Sequence, residues 1–526
     1  MTHRRSGVLI PLFSLVSSRS WGVGEFTDLP IFSNWLRRAG QSLIQMLPVL
    51  EIPDHETSPY SALTAMALDP IYIALSEVDD FQEVGGEPRL TDDDRLALKA
   101  VRDASRVQHR AVRALKGRWL RRCHERFLRD EAGPQTPRFL RFDAFTQRES
   151  WWLDDYALFR ALRGVHEQRA WWEWPEPLAR RHEDALAQAR TELAVEIAYR
   201  KYVQWVAAEQ WDRARTGAAP VEVFGDVPFM ISADSPDVWA DQHEFRFDAT
   251  VGVPPDAFSE TGQDWGLPPW RWDVMSLNEF AWMRRRARRS AALFDGFRLD
   301  HLVGLYRTFL RPADVTVKPW FEPPDEASQL TLGERLVGIY QESGADIIAE
   351  DLGIVPDFVR ASLRRLGVPG YKVLRWERRW SEPGQPFIDP AEYEEVSVAT
   401  TGTHDTEPVA CWWDTLAAED RKRIVNLPSV RRHLPASSDG GVSAPAEFAP
   451  ALADALIRAL LGSASRFAIL PIQDLFGWRD RINTPARIDE SNWSWRLPWL
   501  VDTLEELEEP QSRADMLARW TREAAR

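Results

Sequence analysis

Short apolar runs bounded by Gly, Pro or Asp recur along the chain, each about the length of a buried strand and each ending in polar residues. They cover residues 6–15, 42–49, 221–231, 296–301, 345–351, 367–376, 397–405 and 465–475. Between most of them lie stretches with helical period, such as 29–39, 281–292, 330–343 and 451–461. Buried strands that alternate with helices in this way predict an α/β fold, a (β/α)8 TIM barrel, with its active site at the carboxyl ends of the strands. The surplus length then falls into insertions. Residues 1–51 would hold barrel strands 1 and 2, and 52–220 a mainly helical insertion in which 91–129 and 178–215 carry apolar residues at three-to-four spacing. Residues 221–526 would complete the barrel. Within them 241–278, rich in Pro, Gly and Trp, is expected to be an ordered loop without regular structure over the active site.

Composition narrows the class. The 526 residues carry 65 Lys and Arg against 80 Asp and Glu, a formal net charge of −15, which argues against a nucleic-acid partner. The hydrophobic share of 44% is ordinary for a folded chain. Cys123 and Cys411 are isolated, so neither a disulfide framework nor a thiolate metal site is expected, and a reducing cytoplasm fits best. No apolar stretch is long enough to span a membrane. The basic start followed by 8–16 has the outline of a signal peptide, but Pro11 interrupts it and no small-residue cleavage pattern follows; it reads as a buried strand. The 25 Trp against 9 Tyr suggest core packing for most, and stacking platforms for sugar rings for a subset.

Three strand ends carry the candidate chemistry. The fourth reads Gly296-Phe-Arg298-Leu-Asp300-His301, and strand alternation puts Arg298 and Asp300 on one side. An arginine so placed can hold a nucleophilic carboxylate ionised. The fifth ends in Ile347-Ile-Ala-Glu350-Asp351, an acid leaving an apolar run, which suits a proton donor. The seventh ends in Thr401-Gly-Thr-His404-Asp405. Three carboxylates at the ends of strands 4, 5 and 7 would converge on one pocket, and glycoside chemistry needs such a set: one group to attack the anomeric carbon and one to protonate the leaving oxygen. A divalent-metal site is the competing reading of the His and Asp cluster, but no His-x-His or His-x-x-x-His spacing supports it.

Around these motifs the chain resembles the 4-α-glucanotransferases, the amylomaltase or disproportionating-enzyme family (glycoside hydrolase family 77) related to the α-amylase superfamily. The resemblance runs through Gly22-Val-Gly-Glu-Phe26, Ser58-Pro-Tyr60, Gly225-Asp-Val-Pro228, Gly252-Val-Pro-Pro-Asp256, Phe258-Ser259, Gly262-Gln-Asp-Trp-Gly266, Gln473-Asp474, Arg481-Ile-Asn-Thr-Pro485 and Asn492-Trp-Ser-Trp-Arg496. It implies Asp300 as nucleophile, Glu350 as general acid/base and Asp405 as transition-state stabiliser beside His404. It implies further that Arg298 orients the nucleophile, that Tyr60 is an aromatic at the donor sugar, that Asp226 is the acid of the third strand, and that Trp265 sits on a loop bending over the glucan. The implied activity is retaining transfer of α-1,4-glucan segments between malto-oligosaccharides, with no cofactor and no metal, and no carboxyl-terminal β-sandwich. An α-glucan hydrolase and a non-catalytic glucan-binding protein on the same barrel are the rivals. The chain departs from the family pattern in Thr406-Glu407-Pro408 after Asp405, in Leu68-Asp69-Pro70, and in Trp270 where Tyr is frequent.

Overall fold

The computed structural model describes residues 4–255, 262–435, 444–485, 487 and 489–526. Asp256, Phe258 and Ser259 of the stretches above lie outside the described residues. The eight apolar runs each contribute a strand: β1 Arg5–Leu9, β2 Leu43–Gln45, β3 Glu222–Val227, β4 Gly296–Leu299, β5 Asp346–Ala349, β6 Gly370–Val373, β7 Ser397–Thr400 and β8 Phe467–Pro471. Each pairs in parallel with its sequence neighbour, and β8 closes on β1 through Arg5 opposite Phe467, giving a closed barrel. Such strands are buried on both faces and so are mostly apolar, which is why the runs were continuous rather than alternating.

The amino-terminal mouth of the barrel is closed by charge. Arg5 of β1 binds Glu222 (2.6 Å) and Asp346, and Arg466 binds Asp346 (2.6 Å). The Arg5 guanidinium also lies 4.6 Å from the centre of the Phe467 ring. Above it Phe224 and Phe467 meet edge to face at 5.6 Å.

Residues between β2 and β3 fold mainly into helices, as the periodicity predicts, but not as two long ones. The 91–129 pattern is Asp92–Asp103 followed by His109–Phe127. In the gap Arg106 bridges to Trp495 and the Val107 N–H donates to the Ser494 carbonyl, so a distant segment captures backbone that helical period alone would have kept coiled. The 178–215 pattern is Glu183–Glu192 and Ala194–Ala218, parted at Leu193. The helix His109–Phe127 is tied to the connections after β1 and β2 by buried ions: Lys116 on Glu25 at 2.6 Å, and Arg113 on both oxygens of Asp69 at 2.7 and 2.6 Å.

The expectation that 241–278 lacks regular structure is corrected. Ala249–Val253 and Gln263–Leu267 pair antiparallel, and Ala249–Val253 also pairs with Thr308–Pro312, which continues to Trp320–Glu322. The resulting four-stranded sheet draws half its strands from beyond β4, a long-range partnership that turn residues in the local sequence concealed. Among the described residues no helix is long and apolar enough to cross a membrane.

Gly296 and Gly225 stand where a phenylalanine ring leaves no room for a Cβ. A Cβ on Gly296 would stand 2.5 Å from the Phe224 ring, and one on Gly225 would stand 2.5 Å from Phe294. Gly296→Ala is therefore expected to lower unfolding free energy by about 1–3 kcal/mol, the usual cost of overpacking a filled core. Urea unfolding checks this; a loss below about 0.5 kcal/mol would mean the Phe224 ring shifts freely.

Candidate active site

Parallel register decides the first contact. Asp226 of β3 lies directly opposite Arg298 of β4, so the two side chains emerge side by side on the same face. Both are buried, and Arg298 Nη1 donates to both Asp226 oxygens at 2.9 Å. The same nitrogen lies 2.8 Å from Asp300 Oδ1. Tyr60, carried by the connection after β2, donates its hydroxyl to Asp226 Oδ2 at 2.7 Å.

Glu350 is held from the neighbouring strand end. The chain turns sharply after Asp300, with His301 at φ +42°, in the left-handed region a non-glycine residue rarely adopts. That turn presents the His301 N–H to Glu350 Oε2 at 2.8 Å, while Leu352 N–H donates to Oε1 at 3.0 Å. The Leu302 N–H meanwhile donates to the Glu350 carbonyl. Asp300 and Glu350 thus sit on two strand ends stitched by backbone hydrogen bonds. The His301 ring lies edge-on to Trp265 at 4.9 Å and to Phe229 at 5.1 Å.

The third carboxylate joins through aromatics. The His404 ring stacks on Tyr60 with centroids 5.1 Å apart and planes 17° apart, and its Nε2 lies 3.2 Å from Asp405 Oδ2. Trp493 packs against both Tyr60 and His404. All eight residues singled out in the sequence, Tyr60, Asp226, Trp265, Arg298, Asp300, Glu350, His404 and Asp405, therefore belong to one connected group at the carboxyl ends of the strands.

The family model described as 4-alpha-glucanotransferase matches residues 10–502. The chain belongs to this family. It is 33% identical over 493 residues to a 4-alpha-glucanotransferase of Thermus thermophilus, covering 91% of this chain and 92% of the relative. It is 27% identical to one of Chlamydia pneumoniae, with 94% and 92% covered. The amylomaltase from Streptococcus agalactiae in complex with acarbose superposes with a TM-score of 0.82 at 26% identity, covering 99% of both chains. That from Corynebacterium glutamicum shares the fold, with a TM-score of 0.80 at 24% identity over 98% of this chain and 75% of the other.

Several groups around the site carried no role in the sequence reading. Asn483 Nδ2 donates to Asp405 Oδ1 at 2.6 Å, and Arg481 Nη2 donates to the Asp405 carbonyl at 2.9 Å. Asp474 accepts from Thr401 Oγ1 and from the Val409 N–H, pinning both ends of the loop that bears His404 and Asp405. The only sequence signal for Asn483, Arg481 and Asp474 was their place in family-like stretches: Asn483 and Arg481 follow β8 in irregular chain, and Asp474 lies in the short helix Ile472–Phe476. His301 was visible beside Asp300, but the use of its backbone N–H leaves no trace in residue type. Among the described residues no His, Cys, Asp or Glu group is arranged to hold a metal ion.

Glu350, Asp405 and Asp226 differ in proton affinity for identifiable reasons. Burial raises the Glu350 pKa to about 7; Arg298 opposes this and the charge of Asp300 adds to it. Burial also works to raise Asp405, but His404, the Asn483 hydrogen bond and Arg298 more than offset it and hold Asp405 below the usual carboxylate range. Asp226 is pushed up by burial against the pull of Arg298. Burial lowers His301 to about 4, which leaves its ring neutral at pH 7.

The Glu350 shift has a stability consequence with a definite sign. Folded protein holds this proton up to about pH 7, whereas an unfolded glutamic acid releases it near pH 4.5. Stability that is complete below pH 4.5 is therefore lost as pH rises through 7. Glu350→Gln removes the linkage, so relative to the parent it should gain on the order of 1–3 kcal/mol between pH 5 and pH 8. Chemical denaturation at both pH values measures it; an equal pH response of the two proteins would reject a raised Glu350 pKa.

Proposed function

We propose that this protein is a 4-α-glucanotransferase that moves α-1,4-glucan segments between malto-oligosaccharides by retaining double displacement, and that Asp300, Glu350 and Asp405 carry the reaction. In the first step an Asp300 oxygen attacks C1 of a glucosyl unit as the C1–O4 bond breaks, and the Glu350 proton passes to the departing O4. A covalent β-glucosyl ester on Asp300 results. In the second step the 4-hydroxyl of an acceptor glucan gives its proton to Glu350 and attacks C1, releasing Asp300 and restoring the α configuration.

The observation that carries this reading is the placement, at neighbouring strand ends, of an acid whose pKa burial raises and a carboxylate bound to Arg298. An acid with a pKa of about 7 stands next to a carboxylate ion-paired to Arg298, which supplies a proton donor and a nucleophile at one pH. Arg298 aims Asp300, and Asp226 with Tyr60 aims Arg298. Asp405, kept anionic, suits a partner for sugar hydroxyls and for the positive charge that develops at C1. Tyr60 and Trp265 provide aromatic faces for glucosyl rings.

Transfer outcompetes hydrolysis only where an acceptor sugar displaces water, and 252–270, with Trp265 against His301, is the segment assigned that role. The two free cysteines fit a reducing cytoplasm, and the net charge of −15 weighs against nucleic acid as a partner.

Incubation with maltotriose is expected to yield longer oligomers as well as glucose and maltose; hydrolysis products alone would overturn transfer. Asp300→Asn and Glu350→Gln should each cost at least 10²-fold in kcat. The alkaline limb of the kcat/KM profile should have a midpoint near pH 7, set by loss of the Glu350 proton in the free enzyme, and that limb should vanish in Glu350→Gln. Substantial activity left in Asp300→Asn would remove it as the nucleophile.

A further inference from the structure

The chain that carries His404 and Asp405 leaves β7 at Thr400 and meets no further regular element until Val409, the first residue of the helix Val409–Thr415. Within itself this loop is tied. Thr406 Oγ1 accepts from the Thr403 N–H at 2.9 Å and donates to the Thr403 carbonyl at 3.0 Å, while the Asp405 N–H donates to Thr403 Oγ1 at 3.3 Å. A loop bonded across its own tip shifts as a unit, so the place of Asp405 depends on how the two ends are fastened.

Two buried side chains fasten them, one taking donors and the other taking acceptors. Asp474, 2% exposed in the short helix after β8, accepts from Thr401 Oγ1 at 2.5 Å through one oxygen and from the Val409 N–H at 2.7 Å through the other. Arg375, also buried and two residues past the end of β6, donates from Nη2 to the Glu407 carbonyl at 2.7 Å and to the Thr401 carbonyl at 3.5 Å. Its Nη1 lies 3.7 Å from the Glu407 carboxylate. The two strands that flank β7 in the barrel thus grip the loop at the same two points.

Asp474 is a costly group to keep there. No basic side chain among the described residues pairs with it, and burial raises its pKa against its two hydrogen bonds and the more distant charge of Arg375. Only a carboxylate accepts from both donors as they stand; an amide would set its own N–H against one of them or require the Thr401 hydroxyl to reverse. We propose that Asp474, assisted by Arg375, is a positioning residue of the transfer reaction: it touches no substrate and acts by holding Asp405 in place. The proposal rests on the role given to Asp405 above. Its rival is a cap on the helix Val409–Thr415, which would steady the chain and leave Asp405 indifferent.

Calorimetric titration of the full chain with the glucan analogue acarbose separates the two, because an inactive fraction lowers the stoichiometry and leaves the dissociation constant unchanged. Asp405→Asn is expected to weaken acarbose about tenfold or more, and Asp474→Ala about fivefold or more with a fall of at least about tenfold in kcat on maltotriose, since small displacements of a reacting group are expensive. The double variant should bind no more than about twofold less tightly than Asp405→Asn alone, because one residue acts through the other. Factors that simply multiply would overturn the proposal, as would unchanged acarbose affinity in Asp474→Ala beside a weakened Asp405→Asn. Should Asp474→Ala not fold, Thr401→Val, which cuts one of the two links, should weaken acarbose at least about twofold while Thr401→Ser does not; equal affinities in that pair would overturn the proposal as well. Undiminished binding and turnover in Asp405→Asn would overturn the role of Asp405 itself, and the proposal with it.

Discussion

Everything at the catalytic end of the barrel leans on one guanidinium. A single nitrogen of Arg298 serves both oxygens of Asp226 and one of Asp300, in a setting where each of these charges would be costly alone. The arrangement is stable because strand register sets Asp226 and Arg298 opposite each other before any loop is considered. Asp300 is then placed by the same strand as its cation. Arg298 also tempers the rise that burial imposes on Glu350. One side chain thus ties together the aim of the nucleophile and the proton affinity of the acid.

The parts of the site that do not touch Arg298 are set by backbone and aromatic packing. The left-handed turn at His301 converts a strand end into a donor for Glu350, and the Tyr60–His404–Trp493 cluster ties the connection after β2 to the loop after β7 and to the carboxyl-terminal stretch. Asn483 and Arg481 then close on Asp405 from the chain after β8. Residues from the second, third, fourth, fifth, seventh and eighth βα connections therefore share one constellation, which is the arrangement by which barrels of this type combine rigid strands with variable loops.

The barrel was legible because its strands are buried on both faces and so stand out as continuous apolar runs; each run contains a strand of the closed sheet. The acids at strands 4, 5 and 7 were legible for the same reason, as charged residues ending apolar runs, and Arg298 by its period-two spacing from Asp300. What escaped was whatever depends on partners far along the chain. The sheet formed by Ala249–Val253 needs Thr308–Pro312, and the break in the 91–129 pattern needs Ser494 and Trp495. Asn483 lies in irregular chain after β8, where no local periodicity marks a functional side chain. Of the 25 Trp, Trp21, Trp119, Trp205, Trp211, Trp239, Trp270, Trp282 and Trp413 are fully buried, as core packing requires, whereas Trp265 is only partly so.

The two mouths of the barrel show why buried charge need not mean function. At the amino-terminal end Arg5, Glu222, Asp346 and Arg466 are balanced two against two, with the open face of Arg5 covered by Phe467. Each group there has its partner, and nothing is left over to act on a ligand. At the carboxyl-terminal end three carboxyls, Asp226, Asp300 and Glu350, share one cation, and burial, with the charge of Asp300 adding to it, raises the proton affinity of Glu350 against the pull of Arg298. That burial, only partly opposed by Arg298, is what leaves a proton available at neutral pH. The stability that Glu350 forfeits above pH 7 is the thermodynamic counterpart of its capacity to donate.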